Sequence, residues 1–227
     1  MTALWETVFF GYGFFFGGLW FLVCSGLGVV WLLLRPGNRQ TLYVYGRVFC
    51  RGVVRMMGWR IAVEYGERLE QCRPCVIVAN HQSFLDVVTF GSIFPKRTVS
   101  AGKREIGRIP VFGWFYRLSG NLIIDRADAR SAKHSLESAA RAVREERLSV
   151  WFMPEGHRNP GRQLLPFKSG AFRLALSAGV PILPVRVLEP VPTEGLTARD
   201  LPDLVARVRA RMQEALDELG GPVGSQP

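Results

Sequence analysis

The segment Asn80-His81-Gln82-Ser83-Phe84-Leu85-Asp86 follows directly on the apolar run Cys75-Val76-Ile77-Val78-Ala79. It pairs a base with a carboxylate five residues on, which is the chemistry of taking a proton from an alcohol. Histidine is the side chain most easily poised to accept a proton near neutral pH, and a carboxylate on its second ring nitrogen fixes the tautomer and stabilises the imidazolium. Five residues along a continuous helix turn through about 500°, which would point the two side chains to different faces. They meet only if His81 lies in a turn, with Ser83 capping a helix whose first turn holds Asp86. A strand, a short turn and a helix are therefore predicted here. These seven residues also allow a plainer reading, a helix cap beside a hydrogen-bonding histidine.

Downstream segments bear on that choice. Gly120-Asn121-Leu122-Ile123-Ile124-Asp125-Arg126 reads like G-x-x-F-I-D-R with Ile123 in the aromatic place, and Met153-Pro154-Glu155-Gly156-His157-Arg158 reads like F-P-E-G-T-R with Met and His for Phe and Thr. Val180-Pro181-Ile182-Leu183-Pro184-Val185 follows the pattern V-P-I-x-P-V, and Pro166 to Phe172 lies between them. With N-H-x-x-x-x-D at Asn80 to Asp86, these blocks, in this order, resemble those of the glycerolipid acyltransferases, the PlsC-type 1-acylglycerol-3-phosphate acyltransferases. The resemblance spans roughly residues 60 to 190.

That resemblance implies a reaction. His81 would deprotonate the sn-2 hydroxyl of a lysophospholipid as it attacks the thioester of acyl carrier protein or coenzyme A, with Asp86 orienting the ring. The alcohol itself is then the nucleophile, so no acyl-enzyme is required. A glycerol phosphate carries negative charge, and a planar guanidinium meets phosphate with a bidentate contact, which makes Arg126 and Arg158 the candidate clamps. The family pattern puts Glu155 in the acceptor site, with Gly156 permitting close backbone approach, and Lys103 beside the phosphate or the oxyanion. His157 departs from the pattern and leaves the acceptor headgroup open: lysophosphatidate making phosphatidate leads, and another lysolipid, such as a lyso-aminolipid, is the alternative. A His-Asp thioester hydrolase would use water, which needs no phosphate clamp. No cofactor and no metal is expected, since His81, His134 and His157 lack the i, i+4 spacing of zinc ligands.

The chain of 227 residues has room for one compact catalytic domain plus an anchor. Thr7 to Leu34 is uncharged and rich in Phe, Trp, Leu and Gly, longer than the ~20 residues that cross a bilayer. Its glycines leave open whether it spans or breaks. Glu6 stands before it and Arg35 and Arg39 after it, which by the positive-inside tendency puts the rest of the chain at the cytoplasmic face of the inner membrane. Arg47, Arg51 and Arg55 recur every four residues on one predicted helical face, and like charges so spaced call for an anionic partner, for which membrane lipid headgroups are the obvious candidate. The net charge of +10 also fits nucleic acid, but no zinc-finger or stacking-aromatic motif accompanies it, so no nucleic-acid partner is expected. Cys72 and Cys75 have redox spacing but precede a strand instead of opening a helix. The division expected is 1–57 for anchoring helices and 58–227 for the catalytic domain.

The elements that must position these residues alternate. Strands are predicted over Arg60–Tyr65, Cys75–Ala79, Thr98–Ala101, Leu122–Asp125, Ser149–Met153 and Ile182–Leu188. Helices are predicted over Ser83–Ile93, Val111–Leu118, Ala129–Arg147, Lys168–Ala178 and Leu201–Leu219. Such alternation implies an α/β fold: a mixed, largely parallel sheet covered by helices, preceded by an N-terminal membrane-anchoring helical segment, with functional residues at strand ends.

Overall fold

A computed structural model describes residues 2–61, 63, 66–124, 129–159, 165–185 and 203. Residues 1–185 form one compact unit and 186–227 a second. The chain opens with α1 (Thr2–Leu34), then α2 (Thr41–Tyr45), a π-helical turn (Gly46–Cys50), α3 (Arg51–Met56) and α4 (Glu67–Gln71). Next come β1 (Val76–Ala79), α5 (Asp86–Ile93), β2 (Thr98–Lys103), a 3-10 turn (Arg104–Arg108), α6 (Phe112–Leu118) and β3 (Leu122–Ile124). The unit closes with α7 (Ala129–Glu145), β4 (Ser149–Phe152), α8 (Gly170–Ala178) and β5 (Ile182–Val185). Of the expected strand over 60–65, residues 60, 61 and 63 are not in a strand and the others lie outside the described residues. The expected helix over 201–219 lies outside them too, apart from Asp203, which is helical.

The five strands run in the order β3-β2-β4-β1-β5, and every pairing is parallel. Parallel strands are covered on both faces and therefore read as continuous apolar runs. β1 and β4 are buried at every residue. Their period of two sends Val76, Val78, Val150 and Phe152 to one face, where they pack with Ala140 and Val143 of α7 and Ala171, Leu174, Ala175 and Ala178 of α8. Leu136, Ala139, Ala140 and Val143 recur at helical spacing, and all four join that core. On the other face Trp151 lies 5.1 Å from the ring of Phe90 and 5.4 Å from that of Phe94, at the end of α5.

A second core joins the N-terminal helices to α5 and α6. Cys24 and Leu32 of α1, Tyr45, Phe49 and Cys50 pack with Val88 of α5 and Phe115 of α6, so residues on both sides of position 57 share one interior. The α1 glycines do not break the helix. At Gly28 a β-carbon would come within 2.6 Å of the Phe115 ring, which shows what that glycine is for. Residues 11–34 of α1 are long and apolar enough to cross a membrane, and Phe14, Phe15, Leu27 and Leu33 stand exposed on it.

Arg47 and Arg51 do share a face, but that face meets the protein itself: Arg47 Nη1 and Arg51 Nε both donate to the Ser92 carbonyl at 2.9 and 3.2 Å. Arg55 is exposed. Arg51 is exposed as well, and the end of α5 supplies a protein acceptor for two of the three arginines of the expected stripe.

The packing predicts a contrast within α8. Leu174 is fully buried and Leu176 is 84% exposed. Leu174→Ala should lose about 2 to 5 kcal/mol of stability, whereas Leu176→Ala should fall within about 0.5 kcal/mol of the parent. Thermal unfolding of both variants in detergent checks it.

Candidate active site

All five strands point their C-terminal ends to one edge of the sheet, and the blocks singled out in the sequence emerge there. β1 pairs with β4 through Val76–Val150, Ile77–Trp151 and Val78–Phe152, so the loops leaving these two strands start side by side. One carries His81 and the other Glu155. Lys103, half-buried, ends β2 two strands from β1 on the same edge. Arg126 follows β3 by two residues and lies outside the described residues, as does Asp125.

His81 lies in the turn between β1 and α5, and its ring Nδ1 is 2.9 Å from Asp86 Oδ2. Asp86 is the first residue of α5 and is buried. The same carboxylate oxygen also accepts the amide N–H groups of Gln82 at 2.7 Å and Ser83 at 2.9 Å. The turn thus curls around Asp86, and the two side chains converge as the spacing requires. Ser83 contributes differently from expectation: it stands three residues before the helix begins and its hydroxyl accepts the Leu85 N–H at 3.1 Å, while Asp86 reaches back to satisfy the amides. An anion at a helix start is also favoured by the helix dipole. Burial pushes the Asp86 carboxyl up, but hydrogen bonds from His81, Ser83 and Gln82 outweigh it, and the carboxyl sits below its ordinary value.

Glu155 is 2% exposed, and its two oxygens accept the main-chain N–H of His81 at 2.8 Å and of Leu165 at 3.0 Å. From the same loop the Asn159 N–H donates to the His81 carbonyl at 2.7 Å. The loop that carries the third block therefore holds both main-chain polar groups of the histidine in the first. Hydrogen bonds to a charged acceptor are worth about 1.5 to 3 kcal/mol, which makes this grip strong enough to set the loop. Gly156 is buried with φ +76, a left-handed conformation that glycine adopts without strain. The loop is pinned again where the Lys168 N–H meets the Pro154 carbonyl at 2.9 Å.

Arg158 is exposed, its guanidinium 5.9 Å from the centre of the Phe84 ring. It lies beside the His81 loop. His157 is exposed as well. Asn159 is the residue that sequence reading missed. Only its place one step beyond the third block hinted at it, since it acts through the main chain and any residue but proline has that N–H.

Chemically, Asp86 accepts hydrogen bonds only, so the Nδ1 it faces carries the proton and Nε2 is left as the basic nitrogen. The ring is 17% exposed. The profile of the acyltransferase family matches residues 60–188. This chain belongs to that family. The acyltransferase is 33% identical over 219 residues to the 1-acyl-sn-glycerol-3-phosphate acyltransferase of Haemophilus influenzae, covering 87% of this chain and 90% of that one. Against the enzyme of the same name from Escherichia coli, identity is 38% over 166 residues, covering 73% and 67%. The crystal structure of the 1-acyl-sn-glycerophosphate acyltransferase PlsC from Thermotoga maritima covers 99% of this chain and 100% of its own, with a TM-score of 0.66 and 21% identity. That match establishes the fold as the one expected, α/β with a parallel sheet among helices.

The Asp86 geometry makes a pH prediction for the acyltransferase. A carboxyl lowered by folding adds stability that is complete above its ordinary value of 3.8 and is lost as pH falls through the lower folded value. The gap in Tm between the parent and Asp86→Asn should therefore stay open at neutral pH and narrow only below pH 3.8. Unfolding curves recorded across the acid range would reveal a gap that closes earlier, which contradicts a lowered carboxyl.

Proposed function

We propose that the protein transfers a fatty acyl group from an acyl carrier protein or coenzyme A thioester to the sn-2 hydroxyl of lysophosphatidic acid, giving phosphatidic acid. The observation that carries this reading is the 2.9 Å bond between His81 Nδ1 and Asp86 Oδ2, in a chain so similar to enzymes of that name. His81 Nε2 takes the hydroxyl proton as the oxygen attacks the thioester carbonyl. The tetrahedral oxyanion then collapses, the C–S bond breaks, and the imidazolium returns its proton to the departing thiolate. Asp86 keeps the ring in the correct tautomer and steadies its charge.

Arg126 and Arg158 bind the acceptor phosphate in this scheme, and Lys103 lies toward the phosphate or the developing oxyanion. Glu155 serves the acceptor site by holding the main chain of His81 and Leu165, with Gly156 letting the loop pass close. Residues 1–57 attach the protein to the cytoplasmic face of the inner membrane, among anionic lipids, and residues 58–227 carry the chemistry; the apolar length of α1 supports this.

His81→Ala should abolish transfer while the protein still folds and binds membrane, because it removes the base and little buried volume. Asp86→Asn should keep weak activity through correct geometry with the wrong tautomer. The assay is purified protein in detergent with labelled acyl donor and a panel of lysolipid acceptors. Full turnover by folded His81→Ala would sink the mechanism, and free fatty acid released without acceptor would favour a hydrolase.

The acceptor assignment has its own test. Arg126→Ala should lower kcat/KM for lysophosphatidate about ten- to a hundredfold, since one charge-assisted contact is worth about 1.5 to 3 kcal/mol. Transfer to a neutral monoacylglycerol should change far less, and Arg126→Lys should recover only part, because a point charge cannot reproduce the fork. Equal losses on charged and neutral acceptors would remove Arg126 from the phosphate site.

A further inference from the structure

We infer that Arg47 and Arg51 are positioning residues for the catalytic pair: they clamp the C-terminal end of the helix whose N-terminal residue is Asp86. The inference rests on the proposed role of His81 and Asp86 and extends it to the N-terminal helices.

α5 has eight residues, about 12 Å from end to end, so a tilt at one end is felt at the other. Its last carbonyls have no partners within the helix. One of them, Ser92, accepts from both Arg47 Nη1 and Arg51 Nε. Two cations also lie at the end where the helix dipole favours them. The Arg47 guanidinium is itself steadied 5.0 Å from the centre of the Tyr43 ring.

The contact continues along α5. At Gly46 a β-carbon would overlap the Gly91 carbonyl, and at Gly91 one would overlap Cys50 Sγ, so the two backbones approach as closely as glycine allows. Cys50 Sγ then lies 3.7 Å from the carbonyl of Val87, the residue after Asp86. Val88 is buried against the same N-terminal helices. One element, the π-helical turn with its flanking helices, thus grips α5 at 87, 88, 91 and 92. Asp86 stands at the free end of that grip, with its oxygen 2.9 Å from the ring it must orient.

A loosened clamp moves Asp86 relative to His81 and spoils the orientation of the ring, with no change in what binds the acceptor. A misplacement of about 1 Å transmitted from a remote mutation costs on the order of a hundredfold in rate. The signature is therefore a fall in kcat with KM held.

The test uses the full-length protein in detergent, a water-soluble short-chain lysophosphatidate as acceptor, and the double variant Arg47→Gln/Arg51→Gln. Expected are a drop in kcat of roughly ten- to a hundredfold, KM within about twofold of the parent, and a shifted or broadened NMR signal for the proton between His81 Nδ1 and Asp86. Arg47→Lys/Arg51→Lys should recover part of both, since an ammonium still donates to the carbonyl. Should the double variant fail to fold, Arg51→Gln alone, which leaves Arg47 on Ser92, carries the same comparison. Unchanged kcat on the soluble acceptor and an unchanged proton signal, with binding to anionic vesicles lost, would overturn the inference and return these arginines to the lipid. If the parent acylates no lysolipid, the proposed function fails, while the NMR comparison still decides whether the clamp sets the His81–Asp86 bond.

Discussion

A ring that faces one carboxylate in one tautomer must be held in place, and here two separate stretches of chain hold His81. Asp86 takes the ring nitrogen, Glu155 the main-chain N–H, and Asn159 the main-chain carbonyl. The rest of the architecture can be derived from this need. β1 and β4 must be neighbours so that the loops leaving them meet, and they must run parallel so that both loops leave from the same edge. Parallel neighbours need helical crossovers, and those helices bury both faces of the sheet.

The buried carboxylate of Glu155 joins two parts of the site's edge. At 2% exposure, with an amide on each oxygen, it ties the loop of the first block to the far part of its own. A buried charge is tolerable when hydrogen bonds replace the water it has lost. In return, the position of His81 is coupled to that of the loop bearing Arg158.

The N-terminal helices take part in the interior of the first unit. α1 presents an apolar exterior, yet its inner side shares a core with α5 and α6, and the basic helix after it meets the end of α5 through Arg47 and Arg51. The N-terminal helices and the helix that begins at Asp86 therefore share one interior.

Much of this was legible in the linear chain, because the signals were local. The apolar runs of β1 and β4, the helical spacing of Leu136, Ala139, Ala140 and Val143, and the five-residue gap from His81 to Asp86 each constrain residues that are near in sequence, and each appears in the structure as read. The sequence also determined that the histidine and the carboxylate could meet only through a turn, since no continuous helix could bring them together. Tertiary structure alone decided the rest. Strand order set which loops are neighbours, and it gave Glu155 and Asn159 their bond to a residue more than seventy positions away. It also turned Arg47 and Arg51 from a stripe awaiting an anion into donors to the Ser92 carbonyl, some forty positions on. The physical reason is the same in each case: the partners are main-chain N–H and C=O groups, which every residue but proline carries alike, so no residue type in the sequence marks them.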